Sequence, residues 1–254
     1  KQVFTPAVFA SFNPLRSTAD LSLRAFYKKS FRMPTFNDLY YADMGNSKLN
    51  PEHVSQYNFG IVYSHSTRGF WHNCRISVDA YYNKVKDKIV AYPKGQQFRW
   101  TMLNLGKVDI RGVDVSAELT VRPVSDLFVT IRGQYTFQRA IDVTNPADNY
   151  YRDQIPYIPR HSGAAVVNAT WRGWGLNYSW IYVGERYNQQ ENIRYNYTQP
   201  WYTSDVSVSK DFHVNNVSMR ALLEVNNLLS QDYDVILNYP MPKRNFRVTL
   251  SVEI

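Results

Sequence analysis

Phe246-Arg247-Val248-Thr249-Leu250-Ser251-Val252-Glu253-Ile254 is the stretch that decides the fold. Its apolar members, Phe246, Val248, Leu250, Val252 and Ile254, alternate without a break with Asn245, Arg247, Thr249, Ser251 and Glu253. Successive side chains on a strand point to opposite faces, so the segment predicts a strand with one wholly apolar side and one wholly polar side. Upstream the pattern returns. Met219, Ala221, Leu223 and Val225 alternate with Ser218, Arg220, Glu224 and Asn226, with Leu222 breaking the wet face. Leu127, Val129, Ile131, Gly133, Tyr135 and Phe137 alternate with Thr130, Arg132, Gln134, Thr136 and Gln138, Phe128 being the exception. Val113, Val115, Ala117, Leu119 and Val121 alternate with Asp114, Ser116, Glu118, Thr120 and Arg122, and Ile76, Val78 and Ala80 with Ser77, Asp79 and Tyr81.

Extended over the chain, this reading gives eleven strands, at about 3–12, 20–30, 54–65, 71–90, 98–122, 127–140, 160–171, 174–186, 201–211, 217–228 and 244–254. The connections sort by length. Those at 13–20, 66–70, 123–126, 172–173 and 212–216 are short, whereas those at 31–53, 91–97, 141–159, 187–200 and 229–243 are mostly long. An ordinary antiparallel sheet with one solvated face also alternates, but it has no reason to put short turns at one end and long loops at the other. Transmembrane β-barrels do, with turns in the periplasm and loops outside. The fold class expected is therefore all-β, a set of antiparallel transmembrane barrel strands. Trp71, Trp171 and Trp174 beside short turns, and Tyr182 and Trp201 near long loops, read as aromatic girdles.

The bulk properties agree. The mean hydropathy is −0.44, and no run approaches the ~18 apolar residues of a spanning helix. A barrel keeps its hydropathy low because only alternate residues face lipid. The net charge of +8 is spread along the chain rather than gathered in a stripe, which argues against nucleic acid as a partner. Cys74 is the single cysteine, so no internal disulfide can form. Eleven strands is an odd count, whereas bacterial single-chain barrels close with an even one. Eleven is half of the 22 found in plugged outer-membrane transporters. The expectation is that residues 1–254 form the last half of such a barrel, with a plug domain and the first strands lying N-terminal to Lys1.

Specific residues then point to a family. Ser30-Phe31-Arg32-Met33-Pro34-Thr35-Phe36-Asn37-Asp38-Leu39-Tyr40, followed by Gly45-Asn46 and Leu49-Asn50-Pro51-Glu52, resembles a loop of TonB-dependent outer-membrane receptors. Asn104-Leu105-Gly106-Lys107-Val108-Asp109-Ile110-Arg111-Gly112-Val113-Asp114 is similar to one of their strands, with Asp114 where Glu is usual. Asn227-Leu228-Leu229-Ser230-Gln231-Asp232-Tyr233 and Pro240-Met241-Pro242-Lys243-Arg244-Asn245-Phe246 resemble two further motifs, Lys243 replacing a usual Gly. Ile254 stands where the family usually ends in an aromatic. The resemblance implies residence in the Gram-negative outer membrane and energised uptake of a scarce, bulky nutrient, without covalent chemistry or cofactor. Strand lengths and the 31–52 loop look similar to cobalamin receptors and to smaller siderophore and haem receptors, with cobalamin favoured. The partners implied are outer-membrane lipid, the nutrient at the extracellular loops, the TonB complex acting through the N-terminal plug, and a surface lipoprotein. A passive pore built as a complete small barrel is the alternative.

Candidate ligand-binding residues are loop aromatics and arginines: Tyr40, Tyr41, Tyr92, Arg99, Tyr150, Tyr151, Arg152, Arg194, Tyr195 and Tyr233. Tyr and Arg offer large contact area with a polar tip. Motifs of metalloproteases, zinc sites, hydrolases and phosphate loops are missing from the sequence. Asp79, Asp114, Glu118 and Glu224 read as lumen residues rather than acid–base pairs. His65 and His72 flank a turn but fall short of a metal ligand set. The oxygen-rich run Asp142, Asn145, Asp148, Asn149 and Asp153 lacks the spacing of an EF-hand.

Overall fold

The computed structural model describes residues 3–16, 19–93, 100–214 and 217–253. Eleven strands form one antiparallel sheet in which each pairs with its neighbours in sequence. They are β1 (Ala7–Arg16), β2 (Ala19–Arg32), β3 (Glu52–Ser66), β4 (Trp71–Pro93), β5 (Trp100–Val124), β6 (Leu127–Asp142), β7 (His161–Trp171), β8 (Trp174–Val183), β9 (Trp201–Val214), β10 (Val217–Asn226) and β11 (Asn245–Glu253). No helix among the described residues is long and apolar enough to cross a membrane, which says nothing of strands.

Register places the alternating residues in rows across the sheet. On the outer face Leu23, Ile61, Val78, Val115 and Tyr135 lie side by side, as do Leu21, Tyr63, Ile76, Ala117 and Gly133. The opposite face carries ion pairs and hydrogen bonds between neighbouring strands: Arg24–Asp79 at 3.6 Å, Arg132–Glu118 at 2.7 Å, Arg220–Asp211 at 2.9 Å and Ser77–Ser116 at 2.8 Å. The arrangement is inside out relative to a water-soluble sandwich. Large apolar side chains are exposed (Val248 at 77 %, Phe246 at 69 %), whereas the largest fully buried side chain is Gln154. An apolar face this extensive requires lipid against it. On β5 the apolar run from Val113 to Val121 has the ~9–11 residues that cross a bilayer at a tilt.

The short connections lie at one end. Between β7 and β8, Arg172 and Gly173 both have positive φ, 47° and 77°, the two-residue turn whose twist matches its strands. Trp171 and Trp174 flank it, half exposed, with Arg172 over the Trp171 ring and Lys210 over the Trp174 ring. Two expectations are corrected. β1 runs to Arg16 rather than ending near residue 12. Pro14 is tolerated because the register shifts between Phe12 and Leu15, and prolines are accommodated at bulges and on edge strands. Trp201 does not join the outer girdle. It stacks on Tyr233 at 4.5 Å, and its neighbour Tyr202 is the residue that shares the outer face with Tyr182.

β4 and β5 are 23 and 25 residues long and project beyond the apolar band. Past the bilayer the inner face needs its own cover. The segment after β6 supplies it by folding back along that strand, with Ile155 N–H donating to the Ala140 carbonyl and Asp142 N–H to Asp153. Ile155 then closes a small buried core with Val85, Leu105, Val108 and Ala140, against which Ile158 packs.

Candidate functional site

At the loop end polar staples hold three connections together, and a fourth, 33–51, is tied to β5. In the 143–160 segment, Gln154 is 1 % exposed. Its Oε1 accepts from Ala140 N–H at 3.1 Å, and its own backbone exchanges two hydrogen bonds with the Asn192 side chain, at 2.8 and 2.9 Å. Asp153 accepts from Asn192 N–H at 2.8 Å. Segment 143–160 is thus locked to segment 184–200. In the latter, Arg186 is 3 % exposed and donates to the carbonyls of Asp234 and Val235, at 2.8 and 2.9 Å, which locks it to segment 227–244. Burial pulls the Arg186 guanidinium below its ordinary range, and the carbonyl acceptors compensate the desolvation. Tyr157 joins the same junction. Its ring meets Trp100 of β5 at 5.6 Å, its N–H donates to the Tyr187 carbonyl at 2.7 Å, and burial pushes its phenol upward.

The family-like motifs lie at the base of this canopy and hold it in place. Glu52, 5 % exposed, accepts from Ile89 N–H at 3.1 Å and pairs with Lys88 at 3.2 Å and Arg32 at 3.7 Å. Asn104 donates to the carbonyls of Asp87 and Asn50, at 2.8 and 3.1 Å. Asn46 donates to the Met102 carbonyl at 2.9 Å. A five-residue helix, α1 (Phe36–Tyr40), interrupts the 33–51 loop. It was not expected from apolar periodicity, but its capping box, with Thr35 and Asp38 reciprocally bonded, is a readable signal.

Tyr92 and Tyr150 lie within electrostatic reach of each other, Tyr92 also feeling the charge of Glu191 and Tyr150 that of Asp148. Burial, aided by these carboxylates, pushes both phenols upward. Tyr151 follows, with Arg152 over its ring at 5.9 Å. Arg194 and Tyr195 stand at the exposed tip of the 184–200 segment, Tyr195 at 81 % exposure. Tyr40 and Tyr41 are exposed but sit on the 33–51 loop, which is tied to β5 through Met102 and Asn104. Tyr233 is a packing residue against Trp201, half buried. Arg99 lies outside the described residues. The structure therefore gathers Tyr92 and Tyr150, with Tyr151 next in chain, and leaves Tyr40 and Tyr41 on a different loop. The residues that sequence reasoning missed are the staples Gln154, Asn192 and Arg186.

Oxygens of the acidic run are occupied within the loop: Asp142 accepts from Thr144 N–H at 2.7 Å and Asp148 from the Asn145 side chain at 2.9 Å. Among the described residues no group of three or more His, Cys, Asp or Glu is placed to hold a metal ion.

An inside-out antiparallel sheet with short turns at one end and stapled loops at the other defines an outer-membrane β-barrel protein. Residues 1–228 match the family described as "TonB dependent receptor-like, beta-barrel". The chain belongs to that family, whose members reside in the outer membrane. It is 25 % identical over 239 residues to the vitamin B12 transporter BtuB of Photobacterium profundum, covering 92 % of this chain and 36 % of that protein. A stretch of 87 residues, 34 % of this chain, is 34 % identical to BtuB of Vibrio vulnificus, of which it covers 13 %. The chain thus spans about a third of the first relative's length. Among solved structures, the unliganded ferric citrate transporter FecA superposes with a TM-score of 0.72 at 14 % identity, covering 98 % of this chain and 37 % of FecA. The ferric-catecholate import receptor Fiu of E. coli K12 gives 0.67 at 15 % identity, over 96 % of this chain and 34 % of Fiu. At such identity these likenesses show the fold.

Proposed function

We propose that the chain is the loop-bearing part of an energised outer-membrane receptor for a scarce, bulky nutrient, with cobalamin the favoured ligand. The observation that carries this reading is the canopy. Loops that only joined strands would not need buried staples such as Arg186 and Gln154. Stapling pre-organises a surface and so lowers the entropy lost on binding. Tyr92, Tyr150, Tyr151 and Arg152 supply stacking area and polar tips on that surface. The vitamin B12 transporters among the relatives favour cobalamin, while the siderophore receptors among the structural neighbours keep ferric chelates as the competing ligand class. In this reading a plug domain N-terminal to the present residues receives the pull of the TonB complex, and a surface lipoprotein can add to the loop face. No bond is made or broken in the nutrient.

The test is equilibrium binding of cyanocobalamin to the intact receptor in outer-membrane vesicles, with Tyr150, Tyr151 and Arg152 replaced together by Ala. A loss of tenfold or more is expected, since two aromatic contacts and a cation are removed. Unchanged affinity would take this loop out of the site. Binding of a ferric siderophore instead of cyanocobalamin would reassign the ligand. Uptake that survives a protonophore would replace the energised receptor with a passive pore.

A further inference from the structure

On the outward, lipid-side face of the sheet, just past the apolar band at the loop end, six cations gather on β2, β4, β5 and β6: Lys29, Lys84, Lys86, Lys107, Arg111 and Arg139. All are exposed. Register fixes the arrangement. Ala80 and Val113 close the apolar wall on β4 and β5. The next row holds Tyr27, Tyr57, Tyr82, Arg111 and Arg139 side by side. Tyr27 and Tyr57 are in ring contact at 5.0 Å, and Tyr57 and Tyr82 stack at 6.1 Å. Beyond them lie Lys29, Lys84, Lys86 and Lys107, which with His53 line one shallow groove.

Two features separate this cluster from the rest of the sheet's charges. First, two directly opposed cross-strand pairs carry the same sign: Lys86 faces Lys107, and Arg111 faces Arg139, while Lys84 faces Asp109 without closing an ion pair with it. Like charges so placed are destabilising. Elsewhere the sheet sets opposite signs across, as in Asp211–Arg220, Glu118–Arg132 and Glu224–Arg247. The like pair Asp79–Asp114 on the inner face is relieved by Arg24 and Thr136. Second, among the described residues none of the six cations is in an ion pair. The one carboxylate in the patch, Asp109, accepts from the Tyr82 hydroxyl at 3.0 Å. Arg111 and Lys84 lie over the Tyr82 ring, at 4.9 and 5.5 Å.

Unneutralised cations facing outward, above a tyrosine belt and continuous with a lipid-facing wall, call for an anion at headgroup height. We propose that this patch is a binding site for the phosphate groups of an anionic outer-leaflet lipid. Its acyl chains would run down the apolar wall of β2–β6, and its phosphates would bridge the opposed pairs Lys86–Lys107 and Arg111–Arg139. Lys and Arg both bind phosphate, Arg in bidentate fashion. Tyrosines seat the interface. The site is on the opposite face from the canopy core, because Lys84, Lys107 and Arg139 alternate with the buried Val85, Val108 and Ala140. It therefore does not depend on which nutrient the loops take.

The experiment uses the intact receptor in neutral detergent, titrated with bisphosphorylated lipid A and with the same lipid after enzymatic removal of its phosphates. Wild-type receptor is expected to bind the phosphorylated form at least tenfold more tightly, and the preference should fall steeply as salt rises. K84Q/K86Q/K107Q should reduce the preference to near unity, while K84R/K86R/K107R should retain it. If the triple Gln variant does not assemble, R111Q/R139Q must show the same loss. Equal affinity for the two lipids, or an undiminished preference in the Gln variants, would overturn the site. Displacement of the lipid by millimolar inorganic phosphate at constant ionic strength would overturn the lipid as the source and leave a soluble anion.

Discussion

Asn227 shows how much of the loop end rests on single residues. It directly follows β10, with φ at 49°, a left-handed conformation that Asn tolerates better than most side chains. Its amide donates to the carbonyls of Gln231 and Pro242, at 2.8 and 3.2 Å, its Oδ1 accepts from Gln231 N–H at 2.8 Å, and its own N–H goes to Asp205 at 2.8 Å. One buried side chain thus closes both ends of the 227–244 loop. Asn227→Ala loses the backbone preference and three hydrogen bonds together, a destabilisation of about 2–4 kcal/mol. Asn227→Gly keeps the φ and loses only the bonds, so its effect should be smaller. Hydrogen exchange at the Gln231 amide reads the difference: protection should fall in both variants and furthest in Ala. Undiminished protection in Ala would show that the loop is held by other contacts, Arg244 to the Leu228 carbonyl among them. Asn227, Asn104 and Glu52 all belong to motifs that the sequence displayed, but a motif marks a residue without stating its task. All three hold backbone in place and none presents a free polar face to a ligand.

Among elements, the strands were legible and the canopy was not, for one physical reason. A strand in lipid repeats every two residues, so Leu250 and Thr249 declare their faces within a few positions. A staple such as Arg186 to Asp234 joins residues 48 apart, and nothing local in either segment names the other. Helix α1 falls between these cases, since five residues carry no periodicity and only Thr35 and Asp38 announce it. The canopy segment 143–160 makes its own prediction. Burial is the leading cause that raises the phenols of Tyr150 and Tyr157 above their ordinary value of 10.0. The folded segment thus holds protons that the undocked segment releases more readily. By linkage the stabilisation is complete below the undocked phenol range, near pH 10, and is lost as pH rises through the elevated folded values. Hydrogen exchange across 143–160, corrected for intrinsic rate, should therefore accelerate above about pH 10. Tyr157→Phe, which keeps the ring beside Trp100 but cannot ionise, should blunt the acceleration. An identical alkaline response in Tyr157→Phe would assign it to Tyr150 or to the wider fold.

At the scale of the molecule, the sheet's apolar face and its strand count pull in the same direction. β1 and β11 are edge strands among the described residues, each paired on one side. In the hydrocarbon region every unpaired N–H and C=O costs several kcal/mol, which is why spanning sheets are closed. All neighbours here are antiparallel, and an odd number of such strands cannot close on itself without one parallel seam. Closure by antiparallel pairing alone therefore calls for further strands against both β1 and β11, from the same polypeptide or from another copy. The two sources are separable by mass. An antibody raised to the 143–160 segment, used on outer-membrane fractions of the source cells, should detect a polypeptide of more than twice 29.7 kDa, enough for as many strands again and a plug. That result would place the closing strands in the same chain as the canopy and hold β11 against the first strand of the barrel. A band near 29.7 kDa would instead mean that the edges close against a second copy. The energised-receptor reading would then give way to a passive pore.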